Sequence, residues 1–497
     1  MLSGDSEIKP FRPVGNFLRV NDEGHLAFDE LDTTALARKY GTPLYVVSER
    51  RIRENFQKWV STFRSKYPRT RVFYALKANS LLATCAILKQ EGAGFEVGGP
   101  GELHIAKLLG VCREDLILNG NNKSRKDLAS AIEIGATINV DSIEELKTIQ
   151  NEAEKVGATA RIAFRVNPDV RPEDESVHPE LWTGIRESKF GIDIASGQAL
   201  DACRMSLRMR NLNVTGIHTH IGSPVEDTAS YQEAAERIMT FAGRLKKELG
   251  MDLKFVNLGG GFAIPFNHKI GLPSVEEYAE AIITVVKRGI ANFGLGEMEL
   301  FLEPGGAIVG DSTILLLRVG MTKEPPGLSK WVAVDGGANV ILRASQGWYT
   351  FQIVAANRML DNKSETVNIA GPLCYSGDII GRERNMPRLI EGDLLALLDA
   401  GAYTFAYEFH GGAGSYPLPP IILINSQGES ELVRKGETVA DLIIRDTIPR
   451  RLLAVSLMRE PFTVGMSTGK RSGMSTGQIP HERRPEQHHS QAKKNLR

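Results

Sequence analysis

The chain has 497 residues, with 60 Lys+Arg against 60 Asp+Glu, 42% hydrophobic residues and 24% charged ones. Balanced charge favours neither nucleic acid nor a membrane surface as a partner, and no apolar run approaches the ~20 residues that span a bilayer. The opening Met1-Leu-Ser-Gly-Asp-Ser-Glu7 lacks the basic and apolar regions of a secretory signal. The expectation is a cytoplasmic protein with room for two or three domains.

Residues 1–40 mix polar and apolar positions and are expected to form an N-terminal segment packing with a β domain further on. From Thr42-Pro43-Leu44-Tyr45-Val46-Val47 a βα rhythm begins and runs to Gly306. Within it, eight short apolar runs each end in a polar or glycine-rich turn: Val72–Leu76, Ala93–Val97, Leu116–Gly120, Thr137–Asp141, Ala160–Asn167, Val214–Gly222, Phe255–Gly261 and Leu300–Gly306. The segments between them read mostly as amphipathic helix. Eight βα units in succession predict an α/β fold, a closed parallel (β/α)8 barrel of the TIM type over residues 41–306.

After Gly306 the pattern changes to short β-rich runs between Gly and Pro turns: Ile314–Val319, Trp331–Val334, Thr350–Ala355, Thr366–Ala370, Asp393–Leu398 and Pro420–Ile424. These predict an all-β C-terminal domain over 307–447, either sandwich or barrel. From Arg450 onward ten Lys/Arg face three Asp/Glu, and Gly-Met-Ser-Thr-Gly occurs at 465–469 and again at 473–477. Residues 448–497 therefore read as a disordered basic tail.

The four cysteines, Cys85, Cys112, Cys203 and Cys374, are too widely spaced for a disulfide framework or a zinc site. Cys85 and Cys112 fall in helix-like segments and read as buried small hydrophobes. Cys374 lies in the turn-rich Gly371-Pro-Leu-Cys-Tyr-Ser-Gly-Asp378 and reads as exposed and chemical.

In parallel barrels the chemistry sits at the C-terminal strand ends. Here those ends carry Lys77, Glu96, Asn119, Asp141, Arg165, His220, Gly259-Gly260-Gly261 and Glu303. A lysine at a barrel mouth can form an imine with an aldehyde cofactor. Three successive glycines let backbone N–H groups approach a phosphate. His220 suits stacking on an aromatic cofactor, with the Ser223 hydroxyl on its phosphate. His218 stands at i−2 to His220, but no third ligand accompanies the pair, so no metal is expected and His218 reads as a core residue. A Glu303 carboxylate beside a pyridine nitrogen would keep that ring protonated, the electron sink that carbanion chemistry needs. Together these are the parts of a pyridoxal 5'-phosphate site.

In their joint order the motifs resemble those of the pyridoxal-phosphate decarboxylases that act on diaminopimelate, ornithine and arginine, whose fold is like that of alanine racemase. The resemblance covers residues 15–445 and is strongest to diaminopimelate decarboxylase. It rests on Tyr74-Ala-Leu-Lys-Ala-Asn79, Gly101-Glu-Leu103, Asn119-Gly-Asn-Asn-Lys-Ser124, Asn139-Val-Asp-Ser142, Arg165-Val-Asn-Pro168, Ser188-Lys-Phe-Gly-Ile192, His220-Ile-Gly-Ser223, Gly259-Gly-Gly261, Glu303-Pro-Gly305, Gly371-Pro-Leu-Cys374 and Gly401-Ala-Tyr403. It implies that Lys77 holds the internal aldimine, His220 stacks on the ring, and Glu303 pairs with the ring nitrogen. It further implies that Ser223, Gly261 and Tyr403 bind the phosphate. Cys374 would reach in from a partner subunit to protonate the carbanion left by CO2, which implies a homodimer with shared active sites.

Departures from the family pattern cluster at the substrate end. The residue after the cysteine, normally acidic where substrates carry a distal ammonium, is Tyr375, and a phenol lacks the full negative charge. The arginine that normally follows Glu-Pro-Gly is Gly306. Arg-Pro is Arg343-Ala344, and the tyrosine that follows it is matched by Tyr349, two residues late. Glu96 stands where aspartate is usual, and Asn257 precedes the glycines. Asp378 and Glu408 are candidates to replace the missing carboxylate. The preferred expectation is α-decarboxylation of an amino acid without a distal ammonium, free or carrier-linked, with Arg343, Tyr375 and Tyr349 as substrate residues. The alternatives are meso-diaminopimelate decarboxylation, amino-acid racemisation and a non-catalytic cofactor-binding protein.

Overall fold

The structure, a computed structural model, describes residues 10–172, 179–347, 349–405 and 413–452. The chain divides into two compact units, residues 1–442 and 443–497. Of the second, residues 443–452 are described and include a single helical turn, Arg450–Leu452; the rest of the expected basic tail lies outside the described residues. Everything below concerns the first unit.

Eight parallel strands form the barrel: Thr70–Ala75, Gly94–Val97, Leu116–Leu118, Thr137–Val140, Ala160–Asn167, Leu212–His218, Phe255–Asn257 and Glu299–Leu302. Each pairs with the next in sequence, and the last closes on the first through Leu300↔Thr70, Phe301↔Arg71 and Leu302↔Val72. The crossover helices start where side chains cap them. Ser124, Ser142 and Ser274 accept the backbone N–H three residues on, and Ser274 with Glu277 completes a capping box. Helix Val275–Phe293 buries Tyr278, Ala279, Ile282, Ile283, Val286 and Gly289 along one stripe. Gly289 lets it approach helix Ala229–Leu249 closely, because a Cβ there would meet the Met239 side chain at 2.6 Å.

One strand differs from the sequence expectation. Leu44–Ser48, assigned above to the barrel region, belongs to a separate nine-stranded sheet, antiparallel to Thr313–Lys323 and parallel to Ile421–Ile424. Every residue of it is buried. Leu44 and Val46 share a core cluster with Phe17 and with Leu18, Leu26 and Phe28 of the small N-terminal sheet, while Tyr45 and Val47 join the main core. A strand buried on both faces has no polar alternation, so its sequence looks like a barrel strand. The two strands absent from the expectation, Ile379–Met386 and Ser430–Arg434, lie at the two ends of that sheet's strand order. They carry the charged residues that edge strands tolerate.

Cys112 also departs from expectation. It is exposed, because it sits in the turn before Arg113–Asp115 rather than inside a helix, whereas Cys85 and Cys203 are buried. No described helix is long and apolar enough to cross a membrane.

Candidate active site

Period-2 alternation builds the barrel interior in two layers. The lower layer is an apolar plug of Phe73, Ile117, Ala163, Phe255 and Phe301. Two residues further along four of these five strands the inward positions turn polar: Asn119, Arg165, Asn257 and Glu303, joined by Glu96, Asn139 and His218 from the three other strands. All seven are buried, and hydrogen bonds join six of them. Lys77 Nζ donates to Glu96 Oε2 at 2.6 Å, and Asn119 Nδ2 donates to Glu96 Oε1 at 2.8 Å and to Glu303 Oε2 at 3.2 Å. Asn139 donates to Asn119 Oδ1 at 2.6 Å, Asn257 to Glu303 Oε1 at 2.7 Å, and His218 Nε2 to Glu303 Oε2 at 3.1 Å. Both oxygens of Glu303 are thus engaged.

Above this floor opens a cavity of about 340 Å³. Of the residues singled out in the sequence, Lys77, His220, Ser223, Glu303, Arg343, Tyr349 and Tyr403 all line it. Lys77 sits in the turn Leu76–Ala78 that directly follows its strand. The same turn positions Tyr403, whose amide donates to Ala78 O at 2.8 Å, while Asn79 Nδ2 donates to Gly401 O at 3.2 Å. Arg343 lies between two rings, its Cζ 4.9 Å from the Tyr349 centroid and 4.7 Å from that of Tyr403. His220 has Nδ1 3.2 Å from the Gly260 carbonyl, an acceptor that places the ring proton on Nδ1.

The three glycines are where three strand ends crowd together. A Cβ on Gly259 would overlap the Thr219 carbonyl oxygen, one on Gly260 that of Glu303, and one on Gly261 that of Gly222. Their absent side chains let the Glu303 amide reach Gly259 O at 2.8 Å and the Val225 amide reach Gly261 O at 2.7 Å.

Cys374 and Tyr375 are not brought into this cavity. Both are exposed on the β domain, and the Tyr375 ring covers Gly377. Asp378 is buried and braces their loop, accepting the Ala338 amide at 2.5 Å and the Leu373 amide at 2.8 Å. Glu408 lies outside the described residues. At Gly306 a Cβ would meet the Ile264 side chain at 2.8 Å, so the space an arginine stem needs there is filled.

Several cavity residues had no functional reading in the sequence. His218 is not a bystander but the donor that holds Glu303. Glu180, Leu181 and Thr183 reach the wall from the segment after strand Ala160–Asn167, and Phe190 lies under the Arg165 guanidinium at 4.2 Å. Lys123, buried, ties the Asn119–Asn121 loop down by donating to Gly120 O, Asn139 O and Glu145 at 2.7–3.0 Å. The usable signal was period 2: His218 shares a strand face with His220, and Asn257 with Gly259.

Burial alone would lower the Lys77 amine and raise the Glu303 acid, and in both cases opposite charge wins. Glu96, with Tyr403 and Glu303, holds Lys77 above the usual lysine range. His218 and Lys77, with the Asn257 hydrogen bond, hold Glu303 down at about 2. His220 is pushed well below the usual histidine range by burial and by the nearby Lys77 and Arg165 cations, so its ring is neutral.

The pyridoxal binding domain of the pyridoxal-dependent decarboxylases matches residues 49–310. The chain belongs to that family. It is 38% identical to the diaminopimelate decarboxylase of Methanothermobacter thermautotrophicus over 436 residues, 88% of this chain and 99% of the relative. To the diaminopimelate decarboxylase of Bacillus subtilis it is 36% identical over 430 residues, 86% and 96% of the two chains. The crystal structure of diaminopimelate decarboxylase from M. jannaschii superimposes with a TM-score of 0.82 at 37% identity, covering 88% of this chain and 99% of that one. The chain is thus a pyridoxal-phosphate-dependent carboxy-lyase. Its cavity fits that cofactor: an amine at the mouth, an ionised carboxylate on the floor, and the Ser223 and Tyr403 side chains in the wall, whereas Gly259–Gly261 pack between the strand ends and are not among the residues that line it. Two buried nitrogens in the wall, Arg165 Nε and His218 Nδ1, have no hydrogen-bond partner among the described residues.

Proposed function

We propose that the chain removes the α-carboxylate of an amino acid, with Lys77 as the residue that holds the cofactor and Cys374 as the proton donor. Pyridoxal phosphate supplies, when bound, the electron sink that lets the Cα–carboxylate bond break. Lys77 holds and releases the cofactor through its amine. Neutral His220 presents a ring face without competing charge. Glu303, kept ionised by His218, Asn119 and Asn257, holds a proton on the ring nitrogen. Ser223, the amides of Gly260 and Gly261, and Tyr403 bind the phosphate, while the Gly259 amide is taken by Asn257 Oδ1 at 2.9 Å. The observation that carries this reading is the Lys77–Glu96 pair, in one cavity with His220 and Glu303.

Cys374 lies outside the cavity of its own chain, and this supports a homodimer in which each Cys374 completes the neighbouring site. The protein then works as a soluble cytoplasmic dimer. For the far end of the substrate, Arg343 in the wall, Tyr375 in place of an acid and Asp378 engaged in its own loop favour an anionic or carbonyl-rich group, on a free or carrier-linked amino acid. A second reading, meso-diaminopimelate, is favoured by the Glu180 carboxylate in the cavity wall and by relatives that match along almost their whole length.

A substrate panel scored by CO2 release and product mass tests the reaction, and steady-state kinetics on meso-diaminopimelate separate the two readings. The loss of one charge-assisted contact predicts specificity ~10- to 100-fold below that of an ordinary diaminopimelate enzyme. A kcat/KM of about 10⁴ M⁻¹s⁻¹ or more on that compound establishes the second reading instead.

A further inference from the structure

Strand Leu212–His218 makes its last parallel pairings at His218, with Arg165 on one side and Asn257 on the other. The Thr219 amide still reaches Asn257 O at 2.8 Å. His220 and Ser223, proposed above to face the cofactor, therefore stand on a loop beyond the ladder of their own strand.

On one flank the glycine segment holds this loop. The Val225 amide donates to Gly261 O at 2.7 Å, and His220 Nδ1 donates to Gly260 O at 3.2 Å. On the other flank a segment that follows strand Ala160–Asn167 runs antiparallel to it, with Trp182 bridged to Gly222. The Thr183 and Gly184 amides donate to Ile221 O at 3.2 and 3.3 Å, and the Ser223 amide donates to Leu181 O at 3.3 Å. Gly222 and Gly184 permit this approach. A Cβ on Gly222 would lie 3.1 Å from Leu181 O, and one on Gly184 2.8 Å from Ile221 Cα.

The fourth link is shorter and comes from a side chain: Thr183 Oγ1 donates to the His220 carbonyl at 2.8 Å. His220 is thus tethered twice, its ring to Gly260 and its carbonyl to Thr183. Release of the carbonyl would let the 220–221 peptide turn, and the direction of the imidazole would turn with it. Thr183 lines the same cavity as His220 and Ser223, so its hydroxyl acts at the edge of the site. Valine has nearly the same shape but offers no donor.

We propose that Thr183 is a positioning residue for the cofactor: by donating to the His220 carbonyl it fixes the imidazole face against which the pyridoxal ring packs. The proposal rests on the stacking role given to His220 above and is independent of which amino acid is decarboxylated.

The test compares wild-type holoenzyme with Thr183→Val, which removes the hydroxyl and leaves the three backbone bonds, and with Thr183→Ser, which keeps the hydroxyl. Visible circular dichroism of the bound cofactor reads how the ring is seated, and equilibrium dialysis against graded pyridoxal phosphate reads its affinity. Thr183→Val is expected to weaken the dichroic band and to raise the dissociation constant roughly three- to tenfold. Thr183→Ser should restore both. The cofactor-free valine variant should melt at the wild-type temperature. A valine variant with unchanged band and affinity overturns the proposal, as does a serine variant that fails equally. A melting temperature lowered as much without cofactor as with it marks a structural clasp only, and also overturns it. His220→Ala separates the proposal from the reading beneath it. Loss of the band in His220→Ala but not in Thr183→Val rejects the role of Thr183 alone, whereas an unchanged band in His220→Ala rejects the stacking role of His220 and the proposal with it.

Discussion

Lys77 and Glu96, from neighbouring barrel strands, form an ion pair at 2.6 Å in which the carboxylate is buried and the lysine opens into the cavity. An amine must be neutral to attack an aldehyde, and Glu96 holds this one as an ammonium. Glu96→Gln removes the main influence that raises Lys77 and should shift the pH dependence of cofactor attachment to lower pH. The rise of the cofactor's absorption band after mixing, followed from pH 6 to 10, checks this. An unchanged profile would show that Glu96 does not control the lysine. In the wild type, borohydride should fix the cofactor on Lys77, and Lys77→Ala should abolish that label.

Glu303 accepts hydrogen bonds from Asn257, Asn119 and His218 on the cavity floor. The group sits at about 2 in the folded chain against 4.5 unperturbed. Its stabilising contribution is therefore present above pH 4.5 and lost as pH falls from there towards 2. His218→Leu removes one of its donors and should cost roughly 1–3 kcal/mol at pH 7. The deficit should shrink as the pH is lowered through that window. Urea unfolding at pH 7, 4 and 3 measures it.

Gly261 has φ 93°, and a Cβ there would overlap the Gly222 carbonyl oxygen. Gly261→Ala strains the backbone and separates two strand ends. It should destabilise the chain by about 2 kcal/mol or more and weaken cofactor retention together with it. Thermal melting and cofactor absorbance after gel filtration report the two effects. Full stability in the variant would contradict the packing described here.

If Cys374 serves the neighbouring subunit, inactive Lys77→Ala chains mixed with inactive Cys374→Ala chains should regain activity. With random pairing about half the dimers are hybrids with one intact site, so about a quarter of wild-type activity should return. No recovery despite demonstrated subunit exchange would exclude site sharing.

The barrel was legible in the sequence because parallel strands buried on both faces must be continuous apolar runs, and the turns after them must carry whatever chemistry the fold presents. Lys77, His220 and Glu303 could be named from their place at strand ends alone. The lower plug and the polar floor were written in the same alternation, since Phe255 and Asn257, or Phe301 and Glu303, are two residues apart on one face. That pattern says which residues share a face, but not which neighbours they meet across the barrel. The tertiary structure alone therefore decided that His218 supports Glu303, that Asn119 bridges Glu96 and Glu303, and that Arg343 lies between Tyr349 and Tyr403. It also decided that Leu44–Ser48 pairs with Thr313–Lys323 rather than with a barrel strand. A run buried on both sides carries no mark of which sheet buries it; that choice rests on contacts made some 270 residues away in the chain.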